Sequence, residues 1–496
     1  MKPLPMLAVH AAKQPDRTAL QDEKRKLCYA ELVEQVDACA QWLSSLAVDR
    51  IGFAAQNSVE WIIFDLACLQ AGVCVMPIPS FFSSAQVEHV VKQAGLCHVI
   101  TDAPDEFSQR CAVFKQADSA PAFFQSYQLL SIDVDAPVTP LPDDVVKVTF
   151  TSGTTGTPKG VLLTRQQISS VTHSLVEVAD ITQKDKHLCV MPLAILLENI
   201  AGVYALLEAG AQVITLSPSA FGAQGSGLGD PRKLLSLVDQ EKISTIILTP
   251  GMLEGFVSVA EANFPVPKPL RFCALGGASV SESLLHRAEA VGLPVYQGYG
   301  MSECASVVSL NGVGFNRLGS VGKALPHVKI KLANDGEVLI QGSGFKGYLG
   351  DELQASPEWY ATGDLAQMDE FGAITILGRK RNVFITAFGR NVSPEWVEKE
   401  FTSHPDIQQM AVFGEAKPFN AAVIQSSVSD EVLEGLISQI NNTLPDYARM
   451  SAWLRADEPF TPFNHQLTAT GRNRRDVIFD VYADRLASFY QESIAL

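Results

Sequence analysis

Apolar and polar positions along this chain follow two different rhythms. Up to about residue 291, stretches with apolar residues at helical spacing take turns with short β-branched runs. The helical stretches are 30–46, 59–71, 85–94, 165–179, 199–209, 231–241 and 281–291. The strand-like runs are 51–54, 74–78, 98–101, 145–150, 212–216, 245–248 and 272–275. Such alternation predicts parallel sheets covered by helices, an α/β fold. Ser279, with Glu282 three residues on, predicts a capping box for the last of these helices. After about Gly319 the rhythm changes: KIKLANDGEVLIQG at 329–342 alternates around a turn, which predicts an antiparallel barrel or ribbon. From about Arg381 a last stretch has its own patterns, including an acidic helix at 429–441 and a helix-like tail at 482–496. It is long enough for a small domain of its own, which divides the chain into 1–380 and 381–496.

Length and composition narrow the classes. At 496 residues the chain exceeds one ordinary core, and its 47% hydrophobic and 19% charged content is that of a globular protein. A formal net charge of -16 argues against nucleic acid as a partner. It leaves small polyphosphates open, because local dipoles and a metal hold those. Nine cysteines are scattered without a Cys-x-x-Cys pair, and no His spacing completes a zinc site. Reduced, mostly buried thiols and a poor leader at the N-terminus fit a cytoplasmic protein. The most apolar piece, starting at Trp61, is interrupted by Asp65, Gln70 and Gly72, and reads as a buried helix and a strand rather than a span. A peripheral membrane contact stays open.

One loop carries chemistry by itself. TFTSGTTGTPKGV at 149–161 follows the strand-like run ending at Phe150 and crowds Ser, Thr and Gly together. Glycine lets the backbone curl close to an anion, and successive amides form a cradle for it. Lys159 adds a point charge. The spacing Gly153-x-x-Gly156-x-x-Lys159-Gly160 fails the Walker pattern, so this is a phosphate loop of another kind. A solvated linker is the alternative, which the flanking strand disfavours.

Four further segments complete an ordered set: GYGMSE at 298–303, YATGDL at 360–365, GRKRNVFITAFGRNVSPEWVE at 378–398 and LTATGRNRR at 467–475. With the loop, and with NSVEW at 57–61 and MPLAILLENIAG at 191–202, they resemble the adenylate-forming acyl-CoA synthetases across essentially the whole chain. The resemblance is nearest to long-chain fatty acyl members. It implies a large N-terminal domain of two α/β subdomains plus a small barrel, and a small mobile α+β C-terminal domain. It implies ATP, Mg²⁺ and CoA, and an acid–thiol ligase that makes an acyl-adenylate and then a thioester.

The resemblance also assigns roles. Thr151, Ser152, Gly153, Thr154, Thr155, Gly156 and Lys159 would enclose the β and γ phosphates. Gly276, Gly277 and Ala278 would edge the adenine and acyl sites, and Tyr299, beside Gly300, would stack on adenine. Ser302 would approach the α-phosphate and Glu303 would ligate Mg²⁺, a hard cation suited to oxygen ligands. Asp364 and Arg379 would take the ribose, Arg381 would be the hinge, and Gly389 would line the thiol tunnel. At Arg472 the family has a lysine that bridges the substrate carboxylate and the α-phosphate; arginine keeps the charge but is planar and forked. A solvated basic run is the plainer reading of 472–475.

A competing motif lies within this stretch. GSGFKG at 342–347 matches a dinucleotide fingerprint, but Gly350 and Pro357 stand where its crossover helix should run. In MPLAILLENIAG no carboxylate precedes Glu198 to pair a substrate ammonium, and Ile195 stands where the long-chain members have histidine. A fatty or otherwise apolar acid is therefore favoured over an amino acid. Ile200, Gly202 and Tyr204 continue a helix that lines either the pocket or the core. Rival readings are a fatty acyl-AMP ligase that loads an acyl carrier protein, and a non-catalytic acyl- or nucleotide-binding homologue.

Overall fold

The computed structural model describes residues 5–111, 114–119, 124, 127–132, 139–151, 158–222, 229–278, 280–351, 357–387, 390–468 and 471–492. Two large sheets form the body. The first has seven strands in the spatial order 114–119, 128–132, 98–101, 50–54, 74–77, 145–151 and 159–164. Its centre is parallel, as buried βαβ runs require. Its last two strands are antiparallel neighbours at the sheet edge, with Thr151 opposite Lys159.

The second sheet has nine strands, and six of them, 18–21, 212–215, 186–189, 245–248, 272–275 and 295–299, run parallel side by side. Gly276 and Gly277 follow strand 272–275 and Gly300 follows strand 295–299, at the carboxyl ends where open α/β sheets bind ligands. A four-stranded antiparallel sheet, 329–332, 337–341, 360–368 and 374–379, follows in the region where the alternation has period two. The remaining chain builds a hairpin (384–385 with 391–392) and a mixed three-stranded sheet, 407–413, 420–426 and 450–455. Helices 394–402, 430–441 and 475–492 pack on it, and two hydrophobic clusters drawn from 384–490 are its own core.

Helix 59–71 shows why the most apolar segment still carries an acid. It starts on Ser58, whose hydroxyl accepts from the Trp61 amide at 3.0 Å, a cap worth about 1 kcal/mol. Almost its whole circumference is buried, Asp65 included. Asp65 meets Lys147 of strand 145–151 at 2.8 Å, each 1% exposed, and accepts from Asn199 and Tyr204. Lys147 also donates to Asn199 and Tyr204. This network ties strand 145–151 to the segment after MPLAILL, and removing one partner of such a pair costs about 3–5 kcal/mol.

Two local expectations are corrected. The helix at 281–291 begins at Glu282, capped by Ser281, whose hydroxyl accepts from Leu284 at 3.2 Å; Glu282 is thus the first helical residue and cannot close a box with Ser279, itself outside the described residues. The 199–209 helix is a π-helical turn at 198–204 followed by a short α-helix. The wider turn accommodates Glu198, Asn199, Ile200 and Tyr204 facing the interior together, so Ile200, Gly202 and Tyr204 belong to the core rather than to a pocket wall. Seven of the nine cysteines are buried. Among the described residues no helix is long and apolar enough to cross a membrane.

Candidate active site

A cleft of about 1630 Å³ runs between the body and the C-terminal part. Thr151, Lys159, Gly276, Gly277, Ala278, Tyr299, Gly300, Ser302, Glu303, Asp364, Arg379, Arg381 and Arg472 all line it. Ser152, Gly153, Thr154, Thr155, Gly156 and Gly389 lie outside the described residues.

The centre of the wall is Asp364. It stands directly across the antiparallel ladder from Arg379, a position where opposite charges meet. Arg379 Nε lies 2.9 Å from Oδ1, and the Tyr299 hydroxyl donates to Oδ2 at 2.6 Å. Burial raises the carboxyl above its usual range, and Arg379 partly offsets this. Burial, and after it the charge of the same carboxylate, pushes the Tyr299 hydroxyl well up, so it stays a donor. Each carboxylate oxygen has a second lone pair, so Asp364 retains capacity for ligand hydroxyls. Gly300 has no alternative here: a Cβ would lie 1.6 Å from the Ser306 carbonyl oxygen. That contact folds 298–303 back so that Ser302 and Glu303 enter the cleft on a 3₁₀ turn.

Glu303 is held at both ends. Its carbonyl accepts from Gln167 Nε2 at 3.3 Å, and its Oε1 accepts from the Tyr348 hydroxyl at 2.7 Å. Lys159 Nζ stands 5.2 Å from the centre of the same Tyr348 ring. A carboxylate fixed on the same tyrosine as Lys159 is a donor suited to a hard divalent cation. GSGFKG, which contains no helix and leads only into Tyr348, is part of this support and not a dinucleotide loop.

Arg472 comes from the other side. Gly471 turns the chain at φ 81°, and the loop closes through Thr468 N to Arg472 O (2.8 Å) and Arg472 N to Thr468 Oγ1 (3.0 Å). Arg475, paired bidentately with Glu398, and Asn473 Nδ2, donating to Met410 O at 2.8 Å, anchor it. The Arg472 side chain then crosses the cleft, and its Nε donates to Gly277 O at 2.7 Å. Much of its surface stays open to solvent, yet desolvation by the cleft walls and the like charge of Arg379 lower its pKa. Arginine remains charged regardless.

Ile195, Leu196, Leu197 and Ala201 form an apolar part of the cleft wall. Behind it lies a buried group that residue spacing did not show. Glu198 accepts from His187 Nε2 at 2.8 Å and from the amides of Met191 (2.9 Å) and Val190 (3.3 Å). With Cys189 these ligand atoms lie within 4.8 Å of one another. Three donors hold Glu198, His187 on Oε1 and two amides on Oε2, so the cluster reads as a brace for the MPLAILL loop. The one available signal was an acid inside an apolar string.

The chain resembles known proteins over most of its length. The family described as AMP-binding enzyme matches residues 7–349, and its C-terminal domain family matches 381–493. The long-chain-fatty-acid–CoA ligase FadD15 of Mycobacterium tuberculosis is 27% identical over 485 residues, covering 82% of this chain and 78% of that protein. The 2-succinylbenzoate–CoA ligase of Listeria monocytogenes is 26% identical over 449 residues, covering 86% and 90%. The solved O-succinylbenzoate coenzyme A synthetase from Bacillus subtilis, in complex with ATP and magnesium ion, has the same fold at 23% identity and a TM-score of 0.76, covering 95% and 98%.

Proposed function

The chain belongs to the AMP-binding enzyme family, and from that premise we propose that it is an acid–thiol ligase joining an apolar carboxylic acid, of medium or long chain, to coenzyme A. The observation that carries this is the meeting of Arg472 with Gly277 across a cleft whose other wall holds Glu303, Tyr299 and Asp364. In the first half-reaction the substrate carboxylate oxygen bonds to the α-phosphorus of ATP, and the α–β phosphoanhydride breaks to release pyrophosphate. In the second the CoA thiol, losing its proton, attacks the acyl carbonyl and AMP leaves.

The residues act by position and charge. Asp364 and Arg379 hold the ribose, Tyr299 packs on the adenine, and Lys159 with the 151–156 loop takes the β and γ phosphates. Glu303 fits a magnesium ion, which when bound neutralises the phosphates. Arg472 contributes the charge that brings carboxylate and α-phosphate together, its Nε spent on Gly277 and its terminal amines left for the reactants. Residues 381–496 would then reorient about Arg381 for thioester formation, bringing Gly389 to the thiol path.

The acid is read from the wall. Among the described residues there, His187 is turned to Glu198, and Arg287 is paired with Glu254 and Glu261 at 2.9 and 2.8 Å. Neither is available to a second substrate carboxylate, and their acidic partners Glu254 and Glu198 are engaged by them rather than left for a substrate ammonium. Pyrophosphate release over a panel of fatty, aryl, dicarboxylic and amino acids, with and without CoA, tests this. Fatty acids should give the highest kcat/KM, with thioester appearing on CoA. Activity confined to amino acids or diacids would overturn the substrate reading. Acyl transfer to a holo carrier protein but not to CoA would overturn the acceptor.

A further inference from the structure

We propose that Tyr348 is a positioning residue for the metal carboxylate: its hydroxyl fixes Oε1 of Glu303 so that Oε2 is presented to the magnesium of Mg·ATP, while its ring holds Lys159 toward the phosphates. The proposal rests on the reading of Glu303 as metal ligand.

Both the backbone and the side chain of Tyr348 are held for this purpose. Its backbone lies beside the strand that leaves the phosphate loop: Leu162 N donates to Gly347 O (3.2 Å), Leu349 N to Gly160 O (2.7 Å), and Val161 and Tyr348 form a bridge. From the helix at 84–94, Gln93 Nε2 donates to Leu349 O at 3.0 Å, and the His89 ring bonds Pro158 O at 3.0 Å. The phosphate-loop exit and Tyr348 are therefore one rigid piece. Around the side chain, Phe345 packs edge-on at 5.2 Å and the Tyr360 hydroxyl sits beside that of Tyr348.

Glu303 is fixed from the same piece. Gln167, on the helix that follows the exit strand, donates to the carbonyls of Glu303 (3.3 Å) and Ser343 (2.7 Å). Gln167 thus sets the Glu303 backbone, and Tyr348 sets its side chain at 2.7 Å. A free carboxylate would sample several rotamers and could swing to the ammonium of Lys159. With one oxygen engaged by a neutral donor and the ammonium drawn to the ring face 5.2 Å away, the two opposite charges are kept for metal and phosphate.

The test compares ATP affinity of the full-length protein with magnesium and with EDTA, by calorimetry, for the wild type, Tyr348→Phe and Glu303→Gln. Phenylalanine keeps the ring over Lys159 and removes only the hydroxyl. Metal-free ATP should bind Tyr348→Phe within about twofold of the wild type, which also shows that the site is folded. The gain in affinity from magnesium should fall about 10-fold, the size expected for loss of a group that orients a metal ligand. Glu303→Gln should abolish that gain. If Glu303→Gln abolishes it and Tyr348→Phe keeps it whole, or loses affinity equally with and without metal, Tyr348 has no positioning role. If Glu303→Gln keeps the gain, the metal reading of Glu303 fails and the proposal with it.

Discussion

Asp364 and Arg472 face the same cleft from opposite sides and are held in opposite ways. Asp364 is 4% exposed, lies on a sheet, and has a partner on each oxygen before any ligand arrives. Arg472 is exposed, sits at the tip of a turn, and makes one side-chain bond to the body. The first arrangement is preorganised: its reorganisation was completed on folding. The second, on the function proposed above, is delivered: it is anchored in the C-terminal part through Arg475 and Glu398 and meets the body at Gly277 O. A ligase with two half-reactions needs both, since the nucleotide stays while the group that helps pyrophosphate leave must later make room for a thiol.

The sharpest way to break this contrast is Asp364→Ala. It leaves the Arg379 guanidinium and the Tyr299 hydroxyl without their partner, a loss of about 3–5 kcal/mol for a buried pair. Pyrophosphate release should fall about 10²–10³-fold, and the melting temperature should fall with it, because fold and site share this carboxylate. Arg472→Ala should instead cost about 10²-fold in the same assay with the melting temperature unchanged. Equal destabilisation by the two variants would show that the arm is as integral as the sheet. Arg472→Lys restores the charge but cannot both cap Gly277 O and reach the reactants, so a loss of about fivefold is expected, the worth of one ordinary hydrogen bond.

How much of this was legible beforehand follows the same division. Strands 98–101, 245–248 and 272–275 and helix 59–71 stand where apolar spacing places them, because burial on a fixed period is a local property. Chain order brought out the motifs for the same reason. Contacts between motifs were not legible. Tyr299 and Asp364 are 65 positions apart, and Tyr348 sits in a glycine-rich string that resembled a different nucleotide fold. Glu198 was noticed for its place in the string, but its bonds to His187 and to two amides exist only once the π-helical turn has formed. Likewise Asp65 read as an interruption of an apolar run until Lys147 arrived from strand 145–151.

The smallest effect probes the delivered side alone. Besides the Arg472 bond, Lys399 of helix 394–402 meets Glu282 of the body at 3.5 Å, and Ser393 Oγ donates to Leu377 O at 2.9 Å. Glu282 is 62% exposed, so screening and side-chain entropy limit the ion pair to about 0–1 kcal/mol, at most about fivefold in the balance between domain arrangements. Glu282→Lys replaces attraction by repulsion and should slow pyrophosphate release by no more than that while sparing, or slightly raising, the thioester half-reaction measured from preformed acyl-adenylate. The effect should fade in high salt, where exposed charges stop seeing each other. Adding Lys399→Glu should restore the original balance, since the pair is then re-formed with its charges exchanged. An equal slowing of both half-reactions, or a loss that the double exchange does not recover, would mean that this contact supports local structure and does not select the arrangement that brings Arg472 to Gly277.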